Sequence, residues 1–239
     1  MNHSLSAWFT EDHCPNWTCP SCRSTSLAIL PGSFKHLAIP ESVARWQTVE
    51  GEWDDLELVF CCMLQCERSA CTAVVAVSGK GEVIPNDGSD ESDTEPYTEY
   101  FQAKLFTPIL PAFNIPAACP ARVAAPLIQS FSLFLNAPAA AANTIRISLE
   151  ELMNALEVPG ERSLHHRISK MPDRYDEHKA ALLAIKLLGN AGSHALDSVN
   201  TTDIEQAYTV IEFVLRKLYE GSTESVRQLT ERIAARFKS

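Results

Sequence analysis

The chain has 239 residues, 46% of them hydrophobic and 21% charged, with a mean hydropathy of −0.07. These proportions exclude a collagen, a mucin and a wholly disordered polypeptide, and the length supports one large domain or two small ones without disulfide staples. Twenty Lys and Arg against thirty Asp and Glu leave −10 at pH 7, but residues 118–239 hold fourteen of each sign while residues 1–117 hold six basic and sixteen acidic. The acidity therefore weighs against nucleic acid only in the first half. Glu11 and Asp12 interrupt the N-terminus before any apolar run, so no secretory signal is expected, and no apolar stretch approaches the roughly 20 residues of a membrane span. A cytoplasmic chain without a membrane segment follows, and in that compartment eight cysteines point to metal rather than to disulfides.

Residues 1–85 read as a small zinc-ribbon-like β module. Leu56 to Leu64 is a continuous apolar run, and Thr72 to Ser78 (TAVVAVS) has the β-branched composition of a partner strand. Between them lies Cys66-Glu-Arg-Ser-Ala-Cys71, which puts two thiols at a hairpin turn, and Cys19-Pro-Ser-Cys22 supplies a second closely spaced pair. Cys19, Cys22, Cys66 and Cys71 are thus the expected ligands of a structural Zn²⁺, the ion that favours four soft thiolates in a tetrahedron. Cys14, Cys61 and Cys62 remain competitors, and His13 is a weaker one. Cys61 and Cys62 are adjacent in a strand-like run and are read as small buried apolar groups.

Residues 86–117 form an acidic, Pro- and aromatic-rich linker. Asp87, Asp90, Glu91, Asp93 and Glu95 sit among Gly88, Ser89, Ser92 and Pro96, the composition of a solvated loop. Tyr97, Tyr100, Phe101, Phe106 and Phe113 follow, interleaved with proline, which predicts an extended segment lying over one of the domains. Base stacking is disfavoured because Lys104 is their one basic companion.

Residues 118–239 change to helical patterning. A first helix opens at Pro120 and runs to about Leu135, with Val123, Leu127, Phe131 and Phe134 or Leu135 on one face. A second spans Ala139 to Glu157, where Ile145, Leu149, Leu152 and Leu156 repeat with helical spacing and Pro159-Gly160 stops it. A short helix around Glu161 to Met171 precedes one from Tyr175 to about His194. Thr202-Asp-Ile-Glu205 reads as a capping box for a helix with Ile204, Tyr208, Ile211, Leu215 and Leu218 inward, and Ser222 to Phe237 as a polar final helix. The fold class is α+β, a small β module followed by an all-α bundle.

Leu188-Gly-Asn-Ala-Gly-Ser-His194 stands out, because two glycines cost a helix interior about 2 kcal/mol relative to alanine. If the helix continues, Asn190 and His194 share one face and the glycines leave bare backbone for a close approach. Periodicity alone favours the other reading, in which Gly189 caps the helix and Asn190 to Ala195 is a structured loop. Arg146, within IRISLEEL, can pair with Glu150 one turn away or take a more buried role; His165-His166-Arg167, with Arg162 and Lys170, reads as a solvated basic face.

The segments CPARV at Cys119, IRISLEELM at Ile145, LLGNAGSHA at Leu187 and EQAYTVIEFVLRKLYE together resemble the family called domain of unknown function 4145, which is grouped with the HEPN superfamily of helical bundles. CPSC and LQCERSACTAVVAVSGKG resemble the zinc-ribbon segment that often precedes that domain. The resemblance implies a HEPN-like bundle, a superfamily in which many members are RNases of toxin, restriction and antiphage systems. Its catalytic members carry Arg-x(4 to 6)-His, with a polar residue after the arginine, paired across a homodimer. Here Asn190 matches the polar residue and His194 the histidine, whereas the arginine position falls on Leu187, Leu188 or Gly189, and Lys186 is one residue too far.

RNA cleavage without metal needs a histidine to move a proton and a cation to stabilise the phosphorane. His194 suits the first role, and Arg146 is the candidate for the second from a neighbouring element. With the motif arginine missing, the resemblance implies a binding or regulatory module of a prokaryotic defence, restriction or toxin system. Such a module would be homodimeric through its small-residue surface and would take RNA, a nucleotide or a protein partner. A metal-independent RNase using His194 is the alternative.

Overall fold

The computed structural model describes residues 5–48, 52, 55–86, 96–160, 163–194, 199–220 and 231–234, the last two residues of 163–194 by backbone alone. Two compact units emerge, one of Met1–Ala112 with Phe131–Pro138, the other of Phe113–Ser130 with Ala139–Ser239. The class is mixed α+β, an antiparallel sheet followed by helices. No helix among the described residues is long and apolar enough to cross a membrane.

The first unit is a six-stranded sheet built from β1 (Trp8–Phe9), β2 (Leu27–Ile29), β3 (Lys35–Ala38), β4 (Glu57–Cys66), β5 (Val74–Pro85) and β6 (Tyr97–Thr107), with helix α1 (Pro40–Trp46) between β3 and β4. The order is β1-β6-β5-β4-β2, and β3 pairs with β4 as well, all antiparallel. As the sequence predicts, β4 and β5 form a hairpin, with Leu64 opposite Val75 and Cys62 opposite Val77. Period-two alternation sends Leu58, Phe60, Cys62, Leu64 and Cys66 inward. Cys61 is exposed, so of the adjacent pair only Cys62 is the buried group expected.

Residues 97–107 are extended, as expected of the linker, but they form β6, hydrogen-bonded between β1 and β5. The sheet therefore continues past residue 85, and the phenylalanines of β6 are core: Phe101 is fully buried and Phe106 nearly so, while Tyr97 and Tyr100 are half-buried. Phe101 meets Phe60 at 5.3 Å between ring centres, and Trp17 meets Phe106 edge-on at 4.9 Å. Edge-to-face pairs of this kind add roughly 0.5–1.5 kcal/mol each to the burial itself. Asp87 to Glu95 lie outside the described residues.

The second unit is helical. Its elements are α2 (Ala121–Leu133, whose last residues belong to the first unit), α3 (Pro138–Ala155), α4 (Leu164–Ser169), a 3-10 turn at Asp173–Tyr175, α5 (Asp176–His194) and α6 (Thr201–Tyr219). Ile145, Leu149, Leu152, Ile204, Tyr208, Ile211 and Leu215 are buried as the periodicity requires, while Leu156 and Leu218 are half-buried. Buried hydrogen bonds join the helices: Tyr208 donates to Ser130 Oγ at 2.9 Å, and Ser148 donates to the Val123 carbonyl at 2.9 Å. The capping box of α6 is Asn200 with Asp203, not Thr202 with Glu205. Asn200 is extended (φ −110°), and its side chain and that of Asp203 bond each other's amides at 3.0 and 2.9 Å. Of the expected final helix, residues 231–234 are helical and the remainder lies outside the described residues.

Helix α5 runs through Gly189 and Gly192 to His194, so Gly189 is not its cap. The reason is steric. A Cβ at Gly189 would lie 2.7 Å from Arg146 Cβ, and one at Gly192 would lie 2.6 Å from the Ala139 carbonyl oxygen and 2.8 Å from Ala142 Cβ. The bare face of α5 is thus filled by α3 of the same chain.

A methyl group at Gly192 gains about 1 kcal/mol of helix propensity but meets backbone that cannot yield cheaply, an overpacking cost of about 1–3 kcal/mol. The second effect wins. Gly192→Ala is expected to lower the melting temperature, whereas Gly160→Ala, where a Cβ meets nothing within 4 Å, leaves it unchanged; thermal unfolding followed by circular dichroism checks both.

Candidate metal centre and basic pocket

Two turns of the first unit converge on one point. The segment 19–22 precedes β2, and the segment 66–71 closes the β4–β5 hairpin. Strand β2 pairs with the end of β4, with Leu27 opposite Cys66, so the first turn is laid against the second. The Glu67 amide donates to the Ser26 carbonyl at 2.8 Å and the Cys66 amide to the Ala73 carbonyl at 2.8 Å, which fixes both approaches.

The sulfurs of Cys19, Cys22, Cys66 and Cys71 all lie within 4.8 Å of one another. Cys19 and Cys71 are 3.8 Å apart, and Cys22 and Cys66 are 3.7 Å apart. A tetrahedron with metal–sulfur bonds of about 2.3 Å has edges of about 3.8 Å. These four cysteines, the ones the spacing selects, therefore lie close enough together to hold a metal ion. All eight cysteines of the chain are free thiols.

Each turn ends on a residue in the left-handed region: Arg23 (φ 61°) follows Cys22 and Thr72 (φ 50°) follows Cys71. The Arg23 amide donates to the Cys19 carbonyl at 3.0 Å, and the Thr72 amide to the Arg68 carbonyl at 3.1 Å. A non-glycine residue there costs of order 1–3 kcal/mol, more so for a β-branched threonine, and such strain is retained where a site over-determines the backbone. Backbone hydrogen bonding from Ser24, aided by the neighbouring thiols, brings the Cys22 thiol down to about 6. At Cys71 the hydrogen bond from Ala73 also favours the thiolate, but desolvation and the thiols around it outweigh that and push it up to about 11. A thiolate among thiols is a nucleus for cation capture.

The competing cysteines fall elsewhere. Cys14 is buried and donates to the Leu27 carbonyl at 3.6 Å, and burial raises its thiol. Burial pushes the Cys62 thiol up to about 12. Cys61 and His13 are exposed on the sheet and the adjoining loop, and none of the four belongs to the cluster.

In the helical unit, Arg146 of α3 and Asn190 of α5 line one pocket of about 420 Å³, together with Glu150, Lys186, Ser163, Leu164, His165 and Arg167. Arg146 Nη1 donates to Glu150 Oε1 at 3.1 Å across one turn, the plainer of its two expected roles, with both side chains partly exposed. A pair so placed contributes only about 0.3–0.5 kcal/mol. The side chain of His194 lies outside the described residues.

Arg167 is not part of a solvated face, for it is 8% exposed. Its guanidinium donates to Asn154 Oδ1 at 2.8 Å, to the Val158 carbonyl at 2.8 Å and to the Glu150 carbonyl at 3.5 Å. The buried Leu164, Arg167 and Ile168 stand at i, i+3 and i+4 of α4, so their shared face was the sequence signal for this burial.

Comparison with known families finds two matches. Residues 7–106, which contain the four-cysteine cluster, match a model described as Domain of unknown function (DUF8608), and residues 129–236, which contain the pocket, match one described as Domain of unknown function (DUF4145). No curated protein and no solved structure matches the chain.

Serine at any of the four clustered positions removes one corner of the tetrahedron. Cys22→Ser and Cys66→Ser are expected to abolish stoichiometric metal binding and to lower the melting temperature, while Cys61→Ser retains both; elemental analysis and thermal unfolding of the purified variants decide it.

Proposed function

We propose that this chain is a binding module in which a structural zinc fastens the sheet and the helical unit carries a recognition site for an anionic ligand. The observation that carries this reading is the pocket on α3, α4 and α5, where Arg146, Arg167 and Lys186 stand with Asn190 around one carboxylate, Glu150. Such a lining binds negative charge and needs no reacting group to do so. Zinc is the ion favoured at the cluster, because four clustered thiols match the closed, four-sulfur set of structural zinc sites.

The resemblance of the helical half to HEPN-like bundles supports a setting in a prokaryotic defence, restriction or toxin system, with a protein or RNA partner there. Self-association through the glycine surface of α5 is not part of this reading, because α3 covers that surface. Direct nucleic-acid binding by the cysteine module has little support, since residues 1–117 carry six basic against sixteen acidic side chains.

The alternative, a metal-independent RNase with His194 as general acid or base, gains from one observation. Arg146 and Asn190, two of the three residues it needs, line the same pocket. The catalytic reading nevertheless gives the phosphorane to Arg146, and that guanidinium is engaged by Glu150.

Purified protein incubated with mixed RNA is expected to leave it intact, as is His194→Ala. Cleavage by the wild type that disappears in His194→Ala would replace the binding reading with the catalytic one. Metal analysis of protein prepared without chelator is expected to give one zinc per chain; less than half an equivalent overturns the zinc assignment.

A further inference from the structure

The basic pocket also specifies the charge of what it takes, and here the inference rests on the binding-module reading and deepens it. Three cationic side chains, Arg146, Arg167 and Lys186, face one carboxylate, Glu150. That carboxylate is already shared with Arg146. Arg167 is more than nine-tenths buried, forms no ion pair among the described residues, and its Nε is enclosed without a hydrogen-bond partner there. All the partners of its guanidinium are neutral: an amide oxygen and two carbonyls.

A buried, unpaired cation is expensive, and an unmade hydrogen bond on it adds roughly 1–3 kcal/mol. Neutral carbonyls satisfy its protons but not its charge. Lys186, on α5 one turn before Asn190, adds a second cation with no carboxylate partner among the described residues. Among the described residues the pocket therefore holds two uncompensated positive charges beside an amide that can donate or accept.

We infer that this pocket is a binding site for a small phosphate monoester. A monoester carries about −1.5 to −2 at neutral pH and three acceptor oxygens, which matches two uncompensated cations; a diester within a nucleic-acid backbone carries only one charge. Arginine meets such an oxyanion with paired donors, and lysine meets it as a point charge. The volume of about 420 Å³ lies within the range of pockets for small organic ligands, so an organic arm on the phosphate is accommodated. Asn190 and His165 line the same space and supply polar contacts for that arm.

Calorimetric titration of the full zinc-loaded chain tests this with three probes: phenyl phosphate, benzenesulfonate and dimethyl phosphate. Phenyl phosphate is expected to bind at least about tenfold more tightly than either monoanion. Arg167 supports the fold through Asn154 and Val158, so the variants are placed on the pocket's less buried groups. Lys186→Gln is expected to weaken phenyl phosphate about tenfold without moving the melting temperature. Glu150→Gln is expected to tighten it, because the one carboxylate among the described residues that lines the pocket is removed. Three results each overturn the inference: no binding of phenyl phosphate at millimolar concentration, equal affinity for the three probes, or an affinity indifferent to both substitutions. RNA cleavage dependent on His194 would be a separate result that removes the non-catalytic reading, and the monoester titration would still decide the pocket's ligand class.

Discussion

The convergence of four thiols at one end of the sheet is the constraint on which the first unit depends. It joins positions 52 residues apart through Cys19 and Cys71, and 44 apart through Cys22 and Cys66. A cross-link of that span removes chain entropy worth about 4 kcal/mol on the loop-closure scale, a large share of the 5–15 kcal/mol that holds an ordinary domain together. The sheet needs such a tie. Strand β1 has two residues and β2 has three, too short to hold their edges by ladder hydrogen bonds alone. Once the turn at 19–22 is anchored, Trp17 is carried onto Phe9 and Phe106, and the aromatic core closes around Phe101. A metal held there would also offset the left-handed backbone of Arg23 and Thr72, since the binding energy of a structural metal exceeds the strain of two such residues.

In the helical unit the equivalent constraint is the close approach of α5 to α3. Two glycines weaken α5 by about 2 kcal/mol as an isolated helix, and that penalty makes room for the Arg146 stem and the Ala139 turn. Room for the stem directs the guanidinium along α3 to Glu150 and the rim of the pocket. Lys186 and Asn190 then stand one turn apart on the wall that α5 contributes. The glycines thus shape the pocket without lining it.

Much of this was legible from residue spacing. The hairpin of β4 and β5 follows from TAVVAVS facing an apolar run, and the four-cysteine cluster follows from two short cysteine spacings. The features that were not legible share a cause, which is that local pattern is silent about tertiary neighbours. Thr202 and Glu205 have the composition of a capping box, yet Asn200 takes the role because the chain is extended there and Asp203 reaches back. Gly189 has the composition of a helix end, but packing against α3 carries the helix past it. Strand β6 was obscured by the prolines and acids around it, although its inward residues Phe101 and Ala103 are among the most buried of the sheet. Arg167 was obscured by its company: two histidines before it and a lysine after it describe a surface, while Leu164 and Ile168 describe a core.

The net charge of −10 and a pocket for an anion are compatible because the two act over different distances. At physiological ionic strength a charge is felt over about 8 Å, and residues 118–239, which hold the pocket, carry fourteen charges of each sign. Inside the pocket the lower effective dielectric strengthens each interaction, and among the described lining residues one carboxylate against three cations sets the local sign. The acidic excess acts on the encounter instead. It slows the approach of polyanions, whose many charges sum over the whole surface, far more than that of a small ligand carrying two. A cationic recess in a chain of net negative charge therefore favours a compact phosphate over a nucleic-acid strand.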